Sequence, residues 1–163
     1  MNKKTMLLEV AALSAALRVS DRTVMRSFLD GRVVSAWTEE WASALFGFDR
    51  SPSSNQAFSD GGRELGELGS VQVQVKTLTR GGVKFQQSKY IGSGRNCTQA
   101  NLETSIEGVD KYCIVDVVEF PLLSFYLIDS KILLRETLLG NITCRGMTRN
   151  TFLKIFDTET LST

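Results

Sequence analysis

The stretch "KYCIVDVVEF" at residues 111–120 constrains this chain more than any other. It is a nearly continuous apolar run rich in β-branched residues, and it falls well short of the ~20 residues that a membrane-spanning helix requires. Such a run is stable where both of its faces are covered, so it reads as a buried strand. The neighbouring pattern agrees. "VQVQVK" (71–76) alternates, with Val71, Val73 and Val75 on one face and Gln72, Gln74 and Lys76 on the other, and predicts a strand over 71–78. A further short strand is expected at 83–87. "LSFYLID" (123–129) follows a tight turn opened by Pro121, "SKILLRETLLG" (130–140) reads as a capped helix, and "TRNTFLKIF" (148–156) as a last short one. This order belongs to an α/β or α+β chain; α/β is expected, with a mixed central sheet flanked by helices.

At 163 residues the chain is expected to hold one domain with a small appendage. The start, basic and then apolar, superficially has the look of a signal peptide, but Glu9 interrupts it and it reads as a helix. Residues 1–34 are read as a helical segment. Within it, "LSAALRVSDRTVMRSFLDGR" (13–32) gives an apolar helix, an "RVS" turn, and a second helix with Ser20 or Asp21 as N-cap and Gly31 as stop. This resembles a helix-turn-helix, with Arg18 where glycine is common. Arg22, Thr23 and Arg26 would then face DNA, and Val24 and Phe28 the interior. A helical hairpin packed on the main domain is the alternative. Residues 35–163 form the expected core. Its first helix, "SAWTEEWASALFGFD" (35–49), sets Trp37, Trp41, Ala44, Leu45 and Phe48 in one stripe, with Glu40 at the edge of that stripe and Glu39 in water. From Arg50 to Ser70 the chain is rich in Ser and Gly and shows no core pattern.

A 42% hydrophobic and 23% charged composition is that of a soluble globular protein, and no membrane association is expected. Cys97, Cys113 and Cys144 are odd in number and widely spaced, which argues against a disulfide framework and suits a cytoplasmic protein. Histidine is absent, so Ser-His-Asp and Cys-His triads and histidine-dependent metal nucleases are excluded. Any enzyme built from this chain works with carboxylates, lysine, amides and hydroxyls. The net charge of +1 hides a segregation: between Val71 and Leu102 lie Lys76, Arg80, Lys84, Lys89 and Arg95, with no acidic residue. A surface facing a polyanion has this composition. So does a solvated basic loop.

A helix carrying Glu40, a polar loop with Asp60, and a strand ending Gln74-Val75-Lys76 together resemble the PD-(D/E)XK nuclease superfamily. There an acidic residue and a (D/E)-X-K element sit on adjacent strands, with a further glutamate from the first helix; Gln-X-Lys is a known variant. "RSPSSN" and "SDGG" are similar to the loop of archaeal Holliday junction resolvases and Mrr-like nucleases. The resemblance covers about residues 36–128. It implies a restriction-endonuclease-like core and catalysis by Glu40, Asp60, Gln74 and Lys76. It also implies Mg²⁺ held by Asp60, the Gln74 amide, the Val75 carbonyl and Glu40. Ser59 rather than proline precedes Asp60, and the segment up to Gln74 is glycine-rich, so Glu64 and Glu67 are rival ligands.

Phosphodiester hydrolysis calls for oxygen ligands around a hard cation and a base near the attacking water; Lys76, two residues from Gln74, shares its face. The expected activity is a Mg²⁺-dependent endonuclease on double-stranded DNA, site-specific (homing or restriction type), acting as a homodimer or higher oligomer. Arg22 and Arg26 would read the duplex, with Arg80, Lys84, Lys89 and Arg95 on phosphates. A junction resolvase is the alternative, and a non-catalytic DNA-binding regulator is the alternative of a different class.

Overall fold

Tyr112, Cys113, Ile114 and Val115 are each at most 1% exposed in the computed structural model, which describes residues 1–50, 61–64, 70–86 and 97–161, with the backbone alone at 32, 33, 61–64 and 70. The chain runs β1 (Asn2–Leu7), α1 (Val10–Leu17), α2 (Asp21–Leu29), α3 (Gly31–Phe46), β2 (Asp49–Arg50), β3 (Gly61–Glu64) and β4 (Ser70–Leu78). It continues α4 (Gln99–Glu107), β5 (Lys111–Asp116), β6 (Leu122–Asp129), α5 (Ser130–Leu138) and α6 (Arg149–Leu161). The strands form one sheet in the order β1-β6-β5-β4-β3-β2. Among the described strands β4 and β5 pair in parallel and the other neighbours are antiparallel. The class is α/β with a mixed sheet, as expected.

Each face of the sheet has its own core. On one, Val73, Val75, Cys113, Val115 and Phe125 meet Val24 and Phe28 of α2 and Val34 and Ala42 of α3. On the other, Leu78, Tyr112, Ile114, Tyr126 and Ile128 meet α4, α5 and α6 through Leu102, Ile106, Leu133, Phe152 and Phe156. This double covering explains the unbroken apolar run in β5. The parallel step from β4 to β5 needs a crossover, and α4 lies within it. Thr98 caps α4 by accepting from Asn101 N–H at 3.2 Å, and the buried Tyr112 hydroxyl donates to Ser105 O at 2.9 Å, tying strand to helix. Burial pushes the Cys113 thiol up to about 12, leaving it an inert core group.

Several expectations are corrected. Residues 2–7 are a strand, not a helix: β1 pairs with β6 from Asn2↔Leu127 to Leu7↔Leu122. A short Met-Leu-Leu run has no decisive period, and the unpaired edge of β6 settles it. The segment after Phe48, read as loop, contributes β2 and β3. Of the expected strand at 83–87, the described residues 83–86 form only a bridge between Val83 and Met147, and residue 87 lies outside the described residues. Cys97 and Cys144 form a disulfide, with Cα atoms 5.7 Å apart across 47 residues of sequence. Sequence spacing could not show that the fold brings them together, and the cytoplasmic expectation loses the support it took from unpaired cysteines.

The turn between α1 and α2 falls at the expected residues, with Ser20 as the cap, whereas α2 ends at Leu29 and Gly31, expected as its stop, begins α3. Arg18 closes α1 in the left-handed region (φ 54°), and Ser20 caps α2 by accepting from Thr23 N–H at 3.2 Å. A non-glycine residue there costs about 1–2 kcal/mol, partly offset because glycine is more flexible when unfolded. Arg18→Gly should therefore raise unfolding stability by roughly 0.5–1 kcal/mol in urea titrations. A loss of stability would mean that the arginine side chain holds the turn.

Candidate nucleic-acid cleft

Alternation along β4 sorts its residues between the two cores. Thr77 faces α3, with its hydroxyl 3.5 Å from that of Thr38, so Gln74 and Lys76 project from the opposite face, beside Tyr112 and Ile114. Among the described residues β3 accompanies β4 only as far as Val73, which pairs with Gly61. Beyond that point the edge of β4 borders a cleft of about 1090 Å³. Lys76 and Thr77 line one side, Arg26, Asp30, Gly31 and Ser35 the junction of α2 with α3, and Lys84 the segment after β4. A Cβ on Gly31 would lie 2.7 Å from Thr79 Cγ2 and 3.0 Å from Thr77 Cγ2, so glycine permits this close approach of α3 to β4.

Among the described residues the lining is electropositive: Arg26, Lys76 and Lys84 with the one carboxylate of Asp30, and the hydroxyls of Ser35, Thr77 and Thr79. Cations grouped in this way suit a polyanion. Two cations assigned on separate grounds, Arg26 on the second helix and Lys84 after the strand, thus share one cleft with Lys76. Arg22 and Arg80 are exposed, Arg22 one turn before Arg26 on α2 and Arg80 in the Thr79–Gly82 turn. Asp30, Ser35 and Thr77 were not foreseen; they carry no motif, and only the junction of α2 with α3 brings them to the strand.

The acidic candidates divide differently. Asp60 and Glu67, like Lys89 and Arg95, lie outside the described residues. Gly61, the residue after Asp60, does not: the last described pair of the β3–β4 register is one residue short of Asp60 on one strand and of Gln74 on the other. Glu64 pairs with Ser70, four residues before Gln74, or about 13 Å at the rise of a strand. Glu40 is held elsewhere. Its carboxylate accepts from Arg50 at 2.6 Å and its side chain is 64% exposed, whereas Glu39, 3.4 Å from Arg50, is 27% exposed. The expected burial order is therefore reversed. The buried line of α3 is Val34, Thr38 and Ala42 rather than the tryptophan stripe, and Trp37 is 39% exposed. Hydrogen bonding to Glu40 is the first cause that raises the Arg50 pKa. Glu40 is not among the described residues that line the cleft with Lys76.

The Gln74 amide and the Val75 carbonyl offer oxygens of the kind a hard divalent cation takes. Among the described residues no three His, Cys, Asp or Glu side chains gather in a metal-binding group. Nor is any described helix long and apolar enough to cross a membrane. In comparisons with protein-family models, curated proteins and solved structures, nothing matches this chain.

Proposed function

We propose that this chain is a Mg²⁺-dependent DNA endonuclease of the PD-(D/E)XK kind, with Gln-X-Lys in place of the commoner carboxylate motif. One observation carries the reading: Lys76 lines a cationic cleft on a strand whose antiparallel neighbour begins directly after Asp60. Asp60, Gln74 and Val75 would hold the metal, which when bound supplies Lewis-acid activation of the phosphate and a more acidic water. As the neutral amine Lys76 would take a proton from the attacking water; as the ammonium it would steady the scissile phosphate. Arg26 and Lys84, in the same cleft, would hold the strand, and Gln74 would contribute an oxygen without adding charge. Glu40, exposed and engaged with Arg50, is left out of the catalytic set.

Site-specific cleavage of the restriction or homing type is preferred over junction resolution. Exposed Arg22 and Thr23 on a helix beside the cleft give a surface for reading base edges, in the manner of a helix-turn-helix. Cutting both strands calls for two copies of the chain. Asp60→Asn tests the metal assignment: cleavage should fall at least about 100-fold, with duplex affinity held by the cations. Undiminished cleavage would move the ligand to Glu67. Loss of binding together with cleavage would make Asp60 a folding residue.

A further inference from the structure

The turn that follows β4 has a twin. Thr79-Arg80-Gly81-Gly82-Val83 and Thr143-Cys144-Arg145-Gly146-Met147 close in the same way. The glycine N–H donates to the threonine O (2.9 Å at Gly82, 2.8 Å at Gly146), and each threonine hydroxyl accepts from the N–H two residues on at 3.2 Å. Gly82 and Gly146 both sit at positive φ, and a Cβ on either would meet the other turn's backbone oxygen at 2.4 Å. The turns are joined by two hydrogen bonds of 2.9 Å between Val83 and Met147. Gln86 donates to Cys144 O, and the Cys97–Cys144 disulfide anchors the second turn.

This arrangement sets Arg145, an exposed cation at the tip of the second turn, beside the segment that carries Lys84: a Cβ on Gly146 would come within 3.2 Å of Lys84 Cγ. We infer that the paired turns form a rigid phosphate-binding platform, in which Arg80 and Arg145 extend the cationic surface of the cleft along one backbone of duplex DNA. The platform rests on the nucleic-acid reading of the cleft. Two glycine-built turns cross-braced by backbone hydrogen bonds hold their cations ready, so little order has to be created on binding.

The test is binding of a fluorescent duplex in EDTA, titrated over a range of KCl concentrations. Arg145→Ala should weaken binding several-fold at low salt and flatten the log–log salt slope by about 0.9. Arg145→Lys should restore the slope, and Lys154→Ala, which removes an exposed cation on α6, should leave it unchanged. A wild-type slope in Arg145→Ala, or an equal loss in Lys154→Ala, would overturn the platform while leaving the cleft intact. A wild-type protein that binds no duplex would overturn both.

Discussion

Lys76→Ala should lower Mg²⁺-dependent cleavage at least about 100-fold, the usual range for a group that transfers a proton in the rate-limiting step. Duplex affinity should fall only a few-fold, because Arg26 and Lys84 remain in the cleft. The split between chemistry and binding is what distinguishes a catalytic lysine from one more phosphate clamp. Lys84→Ala provides the contrast: it should weaken binding and flatten the salt dependence, with the rate at saturating DNA nearly unchanged. If both variants lose affinity and rate in the same proportion, Lys76 is a clamp and the catalytic assignment is wrong. The fold should tolerate Lys76→Ala, since the core contacts of β4 run through Val73, Val75 and Leu78.

The largest effect on stability is expected at Arg149. Its guanidinium reaches Asp116 Oδ2 at 2.7 Å and Glu119 at 3.2 Å, pinning the first turn of α6 to the end of β5. Asp116 is 2% exposed, and its other carboxylate oxygen accepts from Val118 N–H at 3.0 Å. The hydrogen bond to Asp116 is the first cause that raises the Arg149 pKa. Arg149→Ala leaves a buried carboxylate without its counter-charge and should cost about 3–4 kcal/mol, the lower part of the range for breaking buried pairs because Arg149 itself is partly exposed. Asp116→Asn placed in the Arg149→Ala background should recover part of that loss by removing the stranded charge. Urea denaturation of the four proteins checks this. Additive losses would mean that the two side chains act independently.

The parts of the fold that were legible in the sequence are those whose burial is symmetrical or periodic. β5 is covered on both faces and shows it as an unbroken apolar run. β4 is half polar and shows it as alternation, and α5 begins at its Asp129 cap, whose side chain accepts from Lys131 N–H at 3.0 Å. Elements that depend on distant partners were not legible. β1 exists because β6 offers it an edge, and β3 is a short glycine-rich strand held by pairing with β4. α4 shows only Leu102 and Ile106 as apolar anchors one turn apart. The α3 wheel misled because two tryptophans outweighed Thr38 and Ala42, although the small residues sit against the sheet and Trp37 and Trp41 pack sideways on Phe28. Gln74 and Lys76 were legible as a polar face, and their spacing carried the nuclease reading. Glu40 was not, because its orientation depends on Arg50, ten residues on and on another element.

Cleavage of a phosphodiester backbone is the activity proposed for this chain. Incubating the purified wild-type chain with supercoiled plasmid and Mg²⁺, against a matched EDTA control, tests it most directly. Nicked and linear products should appear with Mg²⁺, be absent with EDTA, and be absent with Lys76→Ala under both conditions. Plasmid that stays supercoiled with Mg²⁺ while the protein retards it in a gel would contradict the account and leave a DNA-binding regulator in its place.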